Sequence, residues 1–176
     1  ICGIDLFACT LGPGSFTGLR IGVSTLKGLM MATGKPAAGI STLDALAFNV
    51  GQTDKTIGAM LDAGRGQVYL AYYRYGHDGS LIQLAAEKAM SPEKIKDHDG
   101  QDIIYVGDGA IKYADVLRRV LSEQSQIASA EYQYIHASSV GMLGIEKYRC
   151  QKLLHLERFI PVYLRSADAV PAEPLF

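Results

Sequence analysis

The sequence is poor in the residues that build disulfide frameworks and metal sites. Its 176 residues include three cysteines, four histidines and no tryptophan. The cysteines, at positions 2, 9 and 150, form no Cys-x-x-Cys pair, and the histidines are scattered. An odd, widely spaced set of cysteines argues against a disulfide scaffold and indicates a reduced, intracellular protein. The same scatter predicts that the chain holds no metal ion.

The sequence also lacks a long apolar run and an excess of charge of either sign. Since no stretch of about 18 apolar residues is present, we expect no membrane span and a cytoplasmic location. The 17 basic and 18 acidic residues give a formal net charge of −1. A protein that coats nucleic acid needs a basic stripe, so this balance argues against nucleic-acid binding as the main function.

Glycine, by contrast, is abundant, with 19 residues in the chain. Apolar periodicity and turn residues predict strands that alternate with helices. The predicted strands are residues 4–11, 37–40, 56–61, 67–75, 80–87 and 102–106, and the predicted helices are residues 16–33, 42–50, 92–97, 110–123 and 137–149. Residues 62–66 form a turn within a three-strand meander, and residues 161–176 form an extended tail. This alternation is typical of an α/β protein with a mixed sheet.

A glycine-rich loop, residues 12–18, joins the first predicted strand to the first predicted helix. This order is typical of phosphate-binding loops, so Gly12, Gly14 and Ser15 are candidates for an anion site. The loop misses both common nucleotide motifs, because no lysine follows Gly18 and the G-x-G-x-x-G spacing is wrong by one residue. The alternative is a tight turn packed on the helix. Ser15 also lacks the G-x-S-x-G context of a nucleophilic serine.

The first predicted helix carries small residues along one side and large apolar residues along another. At about 100° per residue, one stripe holds Gly18, Gly22, Thr25, Leu29 and Ala32, and a second holds Leu19, Val23, Leu26 and Met30. Two glycines four residues apart form a shallow groove that admits a second backbone. A helix that is apolar on two sides is either enclosed by its own core or half-covered by a partner. The candidate partner contacts are Gly18, Gly22, Thr25, Leu29, Leu19 and Leu26.

Four segments together resemble the TsaB (YeaZ) family. They are residues 12–22 (GPGSFTGLRIG), 39–46 (GISTLDAL), 62–69 (DAGRGQVY) and 161–165 (PVYLR). The similarity runs over nearly the whole chain. It implies an α/β fold of the actin/Hsp70/sugar-kinase-like ATPase class, with two lobes of related topology. It also implies an accessory subunit without catalytic residues of its own. Such a subunit helps catalytic TsaD to form N6-threonylcarbamoyladenosine on tRNA.

The resemblance also leads to an expectation about domain organisation. Members of the family open with strands and a helix that have no counterpart in this sequence. We therefore expect a first lobe, residues 1–51, that lacks its N-terminal strands and helix. The second lobe is then residues 52–176, and its last helix and tail are expected to pack back on the first lobe.

The fold class binds ATP between its lobes, and the resemblance implies that the loops for this are degenerate here. Besides Gly12, Gly14 and Ser15, these loops are Asp62 to Gly64 and Gly107, Asp108 and Gly109. Simple turn chemistry explains the same Asp–Gly clusters. We expect no cofactor bound tightly by this subunit, with ATP and magnesium entering only in the complex.

The implied partners are homologues of TsaD and TsaE, with tRNA reached only through the complex and a homodimer when the chain is alone. The helix with two apolar stripes would pack on TsaD or on a second copy. The alternative function is an ATPase- or glycoprotease-type enzyme that uses the cleft between the lobes. A third hypothesis, direct tRNA binding, is disfavoured by the net charge.

Overall fold

The computed structural model describes residues 3–96, 102–121 and 125–164. Within these ranges the strands are β1 (Phe7–Gly12), β2 (Ala37–Ser41), β3 (Thr56–Gly64), β4 (Gln67–Tyr75), β5 (Leu81–Gln83), β6 (Lys88–Met90), β7 (Ile103–Val106) and β8 (Gln126–Ile127). The α-helices are α1 (Phe16–Thr33), α2 (Thr42–Asn49), α3 (Asp108–Lys112), α4 (Ala114–Val120) and α5 (Ala137–Arg149). Short 3-10 turns occupy Pro92–Lys94, Ala130–Tyr132 and Leu156–Arg158.

The first sheet pairs β1 with β2 in parallel, and helices cover both of its faces. One face packs on α1 through Leu11, Val23 and Leu26. The other face packs on α2 and α5 through residues such as Ile40 and Leu143. A parallel sheet is stable only when both faces are covered, so the helices are part of the reason that these strands form. The predicted strand over residues 4–11 starts later, at Phe7, because Phe7 is the first residue with a partner on β2.

The second sheet has the order β5-β4-β3-β7-β8 among the described residues, with β6 also paired to β4. β3 and β4 form the predicted hairpin, but β3 continues to Gly64, so the turn is shorter than residues 62–66. Residues 80–87 do not form the one continuous strand that was predicted. β5 and β6 both pair with β4, and the amide of Leu84 still donates to the carbonyl of Tyr72, so the strand is interrupted only at residues 85–87.

Two predicted helices in the second half of the chain also need correction. In its described part, the helix predicted over residues 110–123 is two helices, α3 and α4, because Tyr113 adopts a φ of −107° between them. Residues 122–123 lie outside the described residues. The helix predicted over residues 92–97 is a single 3-10 turn at Pro92–Lys94, and residue 97 lies outside the described residues. The helices over residues 16–33 and 137–149 are confirmed, and the short strand β8 was not predicted.

The segment after α5 returns to the first sheet. Phe159 is fully buried in the cluster formed by α1, β1 and β2. The amide of Val162 donates to the carbonyl of Leu11 at 2.7 Å. Arg165 and the rest of the predicted tail lie outside the described residues. The division into lobes at residue 51 stays a prediction. In the part of the chain that the structure describes, no helix combines the length and apolar character that a membrane span requires.

The buried Phe159 side chain predicts a large contribution to stability. We expect Phe159→Ala to lower the free energy of unfolding by about 3–5 kcal/mol, because it leaves a cavity under α1. Phe16→Ala is the matched control. Phe16 is 41% exposed, so its loss is expected to cost less than about 1.5 kcal/mol. Urea unfolding followed by circular dichroism measures both. Equal losses would show that the segment after α5 is not anchored as described.

Candidate functional site

The structure divides the candidate contacts on α1 between the core and the surface. Leu19 and Leu26 are only 9% and 7% exposed, and Leu26 packs on the first sheet. These two residues therefore face the protein's own core and offer little surface to a partner, which corrects their assignment as contacts. The apolar stripe that contains them is the inner face of α1.

The remaining candidates lie away from the core. Gly18, Gly22 and Thr25 are exposed and Leu29 is half-buried. A Cβ atom added at Gly22 would meet no atom within 4 Å, so this glycine is not required by packing within the chain. The groove at Gly22 is consequently open to a second backbone.

Two exposed large apolar residues of α1 were missed as candidates, and of these Ile21 lies beside the glycine strip. Ile21 is 63% exposed and Met31 is 74% exposed. A helical-wheel signal was available for Ile21, since it lies roughly 200° from the buried Val23. Arg20 and Lys27 are the charged residues of α1, and its first turn carries no acidic side chain. The outward face of α1 that holds Gly18, Gly22 and Thr25 is therefore largely uncharged, with Ile21 along one edge.

An aromatic and arginine cluster caps this face at the start of α1. The guanidinium carbon of Arg20 lies 3.8 Å from the centroid of the Phe16 ring, which is a cation–π contact. The Arg20 Nε donates to the hydroxyl of Tyr163 at 3.1 Å, and the Phe16 and Tyr163 ring centroids are 5.2 Å apart. Two segments that carry the family resemblance, residues 12–22 and 161–165, thus meet at one place.

The glycine-rich loop is explained locally by close packing and capping. Gly12 has a φ of +126°, and a Cβ atom there would lie 2.4 Å from the carbonyl oxygen of Val162. Only glycine fits such an approach. The Ser15 side chain caps α1 by accepting from the amide of Gly18 at 3.3 Å. Gly14 is exposed. A phosphate-binding role for Gly12, Gly14 and Ser15 stays a prediction.

The two Asp–Gly clusters, far apart in sequence, bond directly to each other. The amide of Asp62 donates to Asp108 Oδ1 at 2.9 Å, and Lys112 Nζ lies 2.6 Å from Asp62 Oδ2. Gly64 also donates its amide to the Asp62 carboxylate. Partial burial acts to raise the pKa of Asp62, but these bonds outweigh it and hold the pKa below its usual range. The Asp62 carboxylate is therefore neutralised within the protein.

The glycines of the second cluster allow α3 to approach β3. A Cβ atom at Gly107, whose φ is +117°, would lie 2.1 Å from the carbonyl oxygen of Met60. One at Gly109 would lie 2.9 Å from the carbonyl carbon of Leu61. Both positions thus have a packing reason, and their assignment as degenerate nucleotide loops stays a prediction.

A polar network joins α2 to the second sheet, and sequence reasoning missed it. Ser41 caps α2 by accepting from the amides of Leu43 and Asp44, and its hydroxyl donates to the carboxylate of Glu87. The Tyr73 hydroxyl donates to Asp44 Oδ1 at 2.9 Å. Asp44 lies in the first turn of α2, and no local pattern in the sequence marks Glu87 or Tyr73 as its neighbours.

Burial governs the ionisation of this network. It raises the pKa of Asp44 above its usual range, although the Tyr73 hydroxyl and the charge of Lys147 act against the shift. Burial also raises the pKa of Glu87, and the neighbouring Asp44 carboxylate adds to the shift. The pKa of Tyr73 is raised by burial and by the Asp44 charge, so the phenol remains a donor at neutral pH.

The structure assembles no metal centre from the residues that it describes. Across residues 3–96, 102–121 and 125–164, no three His, Cys, Asp or Glu side chains converge to hold an ion. Cys9 and Cys150 are free thiols in these ranges, and burial raises the pKa of the Cys9 thiol. A raised pKa keeps a thiol protonated and poorly nucleophilic at neutral pH.

Comparison with known proteins shows which class of proteins has this fold. The family model described as TsaD: tRNA N6-adenosine threonylcarbamoyltransferase matches residues 1–172. The mixed α/β fold is shared with YeaZ from Pseudomonas aeruginosa, whose structure superposes with a TM-score of 0.78 at 25% identity. That superposition covers 92% of this chain and 76% of YeaZ. The class is therefore one of proteins related to a tRNA-modifying transferase.

Curated relatives narrow this class to one family. The tRNA threonylcarbamoyladenosine biosynthesis protein TsaB of Bacillus subtilis (strain 168) is 32% identical, over 90% of this chain and 68% of the relative. The protein of the same name from Escherichia coli (strain K12) is 29% identical, over 93% of this chain and 71% of the relative. The chain belongs to the TsaB (YeaZ) family, as the motif resemblance indicated.

The polar network predicts a distinctive pH dependence. Because the pKa of Asp44 is higher in the folded than in the unfolded protein, its contribution to stability is complete below about pH 4 and is lost as the pH rises through the folded value. Asp44→Asn keeps the hydrogen bond and removes the titration. We therefore expect the difference in unfolding free energy between variant and parent to shift in favour of the variant between about pH 4 and pH 7.

Asp78→Asn is the matched control with the opposite sign. Hydrogen bonds from Ser80 lower the pKa of Asp78, so its contribution is present above about pH 4 and is lost as the pH falls. Urea unfolding at several pH values measures both differences. A flat difference for Asp44→Asn, or a slope of the same sign as that of Asp78→Asn, would contradict the described burial.

Proposed function

We propose that this chain is a non-catalytic subunit that docks on a TsaD homologue and supports the formation of N6-threonylcarbamoyladenosine on tRNA. One observation carries the proposal, which is the exposed and largely uncharged outward face of α1. Contiguous exposed apolar surface of this kind is typical of a protein-binding site. The names of the relatives support the pathway, since they are called tRNA threonylcarbamoyladenosine biosynthesis proteins.

The composition of this face favours a helix as the docking element. Gly18, Gly22 and Thr25 project little beyond the backbone, so a second helix can approach closely and gain dispersion contacts along its length. Ile21 and the methyl group of Thr25 lie side by side along this strip, four residues apart, and would be buried by the same partner. Their burial contributes about 25 cal/mol for each Å² of apolar surface removed from water.

A scaffold role agrees with the state of the Asp–Gly clusters better than an enzyme role does. The Asp62 carboxylate already accepts hydrogen bonds from the Lys112 ammonium and the Gly64 amide, and the Asp62 amide donates to Asp108. A catalytic or metal-binding carboxylate would have to break these bonds first. We accordingly assign the chemistry, with its ATP and magnesium, to the complex, and contact with tRNA to the other subunits.

The outward face of α1 also accounts for the two expected partners, a second copy of the chain and a TsaD homologue. An isolated chain would cover the outward face of α1 by pairing with a second copy, because a symmetric pair buries the same strip twice. A TsaD homologue would compete with that pairing for one surface. A TsaE homologue would join the complex elsewhere, since docking on TsaD occupies this strip.

Gly22→Leu tests the docking surface. The site has room for a side chain in the isolated chain, and leucine is the better helix former by up to about 1 kcal/mol, so the variant should fold. The leucine would fill the groove that a partner helix needs. We expect binding to a TsaD homologue, measured by isothermal titration calorimetry, to weaken by at least about 100-fold, which corresponds to roughly 2.7 kcal/mol.

Gly141→Leu is the matched control. Gly141 is also a mid-helix glycine, and a Cβ atom there also meets nothing within 4 Å, but it lies on α5. This variant is expected to bind like the parent. If Gly22→Leu folds and binds TsaD as tightly as the parent and the control do, α1 is not the interface.

A further inference from the structure

A second concave site lies at the carboxyl ends of β1 and β2. It is a pocket of about 290 Å³ whose walls come from the two strand ends, from α5 and the segment after it, and from the segment before β6. Ligands of open α/β sheets bind outside the carboxyl ends of parallel strands. The volume is at the lower end of the range for ligand pockets, roughly 300–1,000 Å³. A small molecule suits it better than a nucleotide.

One wall of the pocket presents a negative charge. The Glu87 side chain is half-buried, and Ser41 donates its hydroxyl proton to one carboxylate oxygen. The Ser41 oxygen itself accepts two backbone amides, so its single proton is committed to Glu87. Among the residues that the structure describes, no cation lies within ion-pair distance of Glu87. The second carboxylate oxygen therefore has capacity for a cationic donor.

Another part of the pocket presents positive charge. Lys147 Nζ donates to the carbonyl of Gly39 at 2.7 Å, which leaves two of its three N–H groups for other acceptors. Lys152 also lines the pocket and is exposed. Within the described ranges neither ammonium forms an ion pair with a carboxylate. The charge of Lys147 acts on the nearby Asp44 carboxylate, but among the described residues the charged groups that line the pocket form no direct ion pair with one another.

We propose that this pocket binds a small α-amino acid in its zwitterionic form. The ammonium of the ligand pairs with the Glu87 carboxylate, and the carboxylate of the ligand pairs with Lys147 and Lys152. Charge-assisted hydrogen bonds of this kind are the stronger ones in proteins. The apolar side chains of Leu11 and Leu154 provide the wall for the ligand's own side chain. A polyphosphate is disfavoured, because Glu87 would repel it.

The proposal is independent of docking through α1 and is tested on the chain alone. Amide chemical shifts of the 176-residue protein are followed by NMR during titration with glycine, L-alanine, L-serine and L-threonine. Acetate and methylamine serve as probes that carry one charge each. We expect saturable shifts centred on Gly12, Gly39 and Ser41 with at least one amino acid. Each singly charged probe should bind at least about tenfold more weakly, because it forms half of the charged contacts.

Matched variants locate the site. Glu87→Gln keeps the acceptor for Ser41 and removes the charge, so the dissociation constant should rise at least about tenfold. Glu93→Gln is the control, because Glu93 also accepts from a serine hydroxyl but is exposed outside the pocket. Lys152→Met should weaken amino-acid binding to a similar extent. Because Lys152 is exposed, this variant tests the site even if Glu87→Gln does not fold. Lys94→Met is its control.

Three outcomes would overturn the proposal. The first is the lack of saturable shifts with every amino acid tested. The second is binding of acetate or inorganic phosphate as tightly as the amino acids, which would indicate a simple anion site. The third is an unchanged dissociation constant in both Glu87→Gln and Lys152→Met. None of these results bears on whether α1 docks on a TsaD homologue.

Discussion

The fold depends on the need to cover both faces of the parallel pair β1–β2. Two parallel strands cannot stay in water with either face bare, because neighbouring side chains on both faces are apolar. Three helices and the segment that carries Phe159 supply the cover. This requirement fixes the rotation of α1 about its axis, since Val23 and Leu26 must point inward. The opposite side of α1 is left to solvent, and it is there that the proposed docking surface lies.

The same arrangement separates two features along the first sheet. The outer side of α1 carries an uncharged strip of residues with small side chains. The carboxyl ends of β1 and β2 open on a pocket with Glu87 on one side and two lysines on another. The Ser41 hydroxyl belongs to the pocket, where it caps α2 and donates to Glu87 of the segment before β6. A subunit can therefore hold a partner with one surface and keep a separate small-molecule site.

Sequence reasoning succeeded where local chemistry decides the structure. The helix from Phe16 begins at a serine cap and stops before Gly34, and both signals are visible in the chain. The sequence-based predictions failed where contacts between distant parts of the chain decide the structure. The break at Tyr113 fits α3 against β3 and α4 against the core below it. One predicted strand is divided into β5 and β6, because both pieces pair with β4 but residues 85–87 between them do not.

The sequence by itself determined the family, the alternation of strands and helices, and the presence of a helix with two unusual stripes. These properties rest on residue order and on periodicity, which need no knowledge of neighbours. The tertiary structure alone decided which stripe is buried, that Asp62 bonds to Lys112 and Asp108, and that Ser41 reaches Glu87. The polar contacts join groups 46 to 50 residues apart, and the buried stripe of α1 packs on β1, β2 and Phe159. Sheet order and helix packing bring these groups together. No local pattern in the chain encodes that proximity.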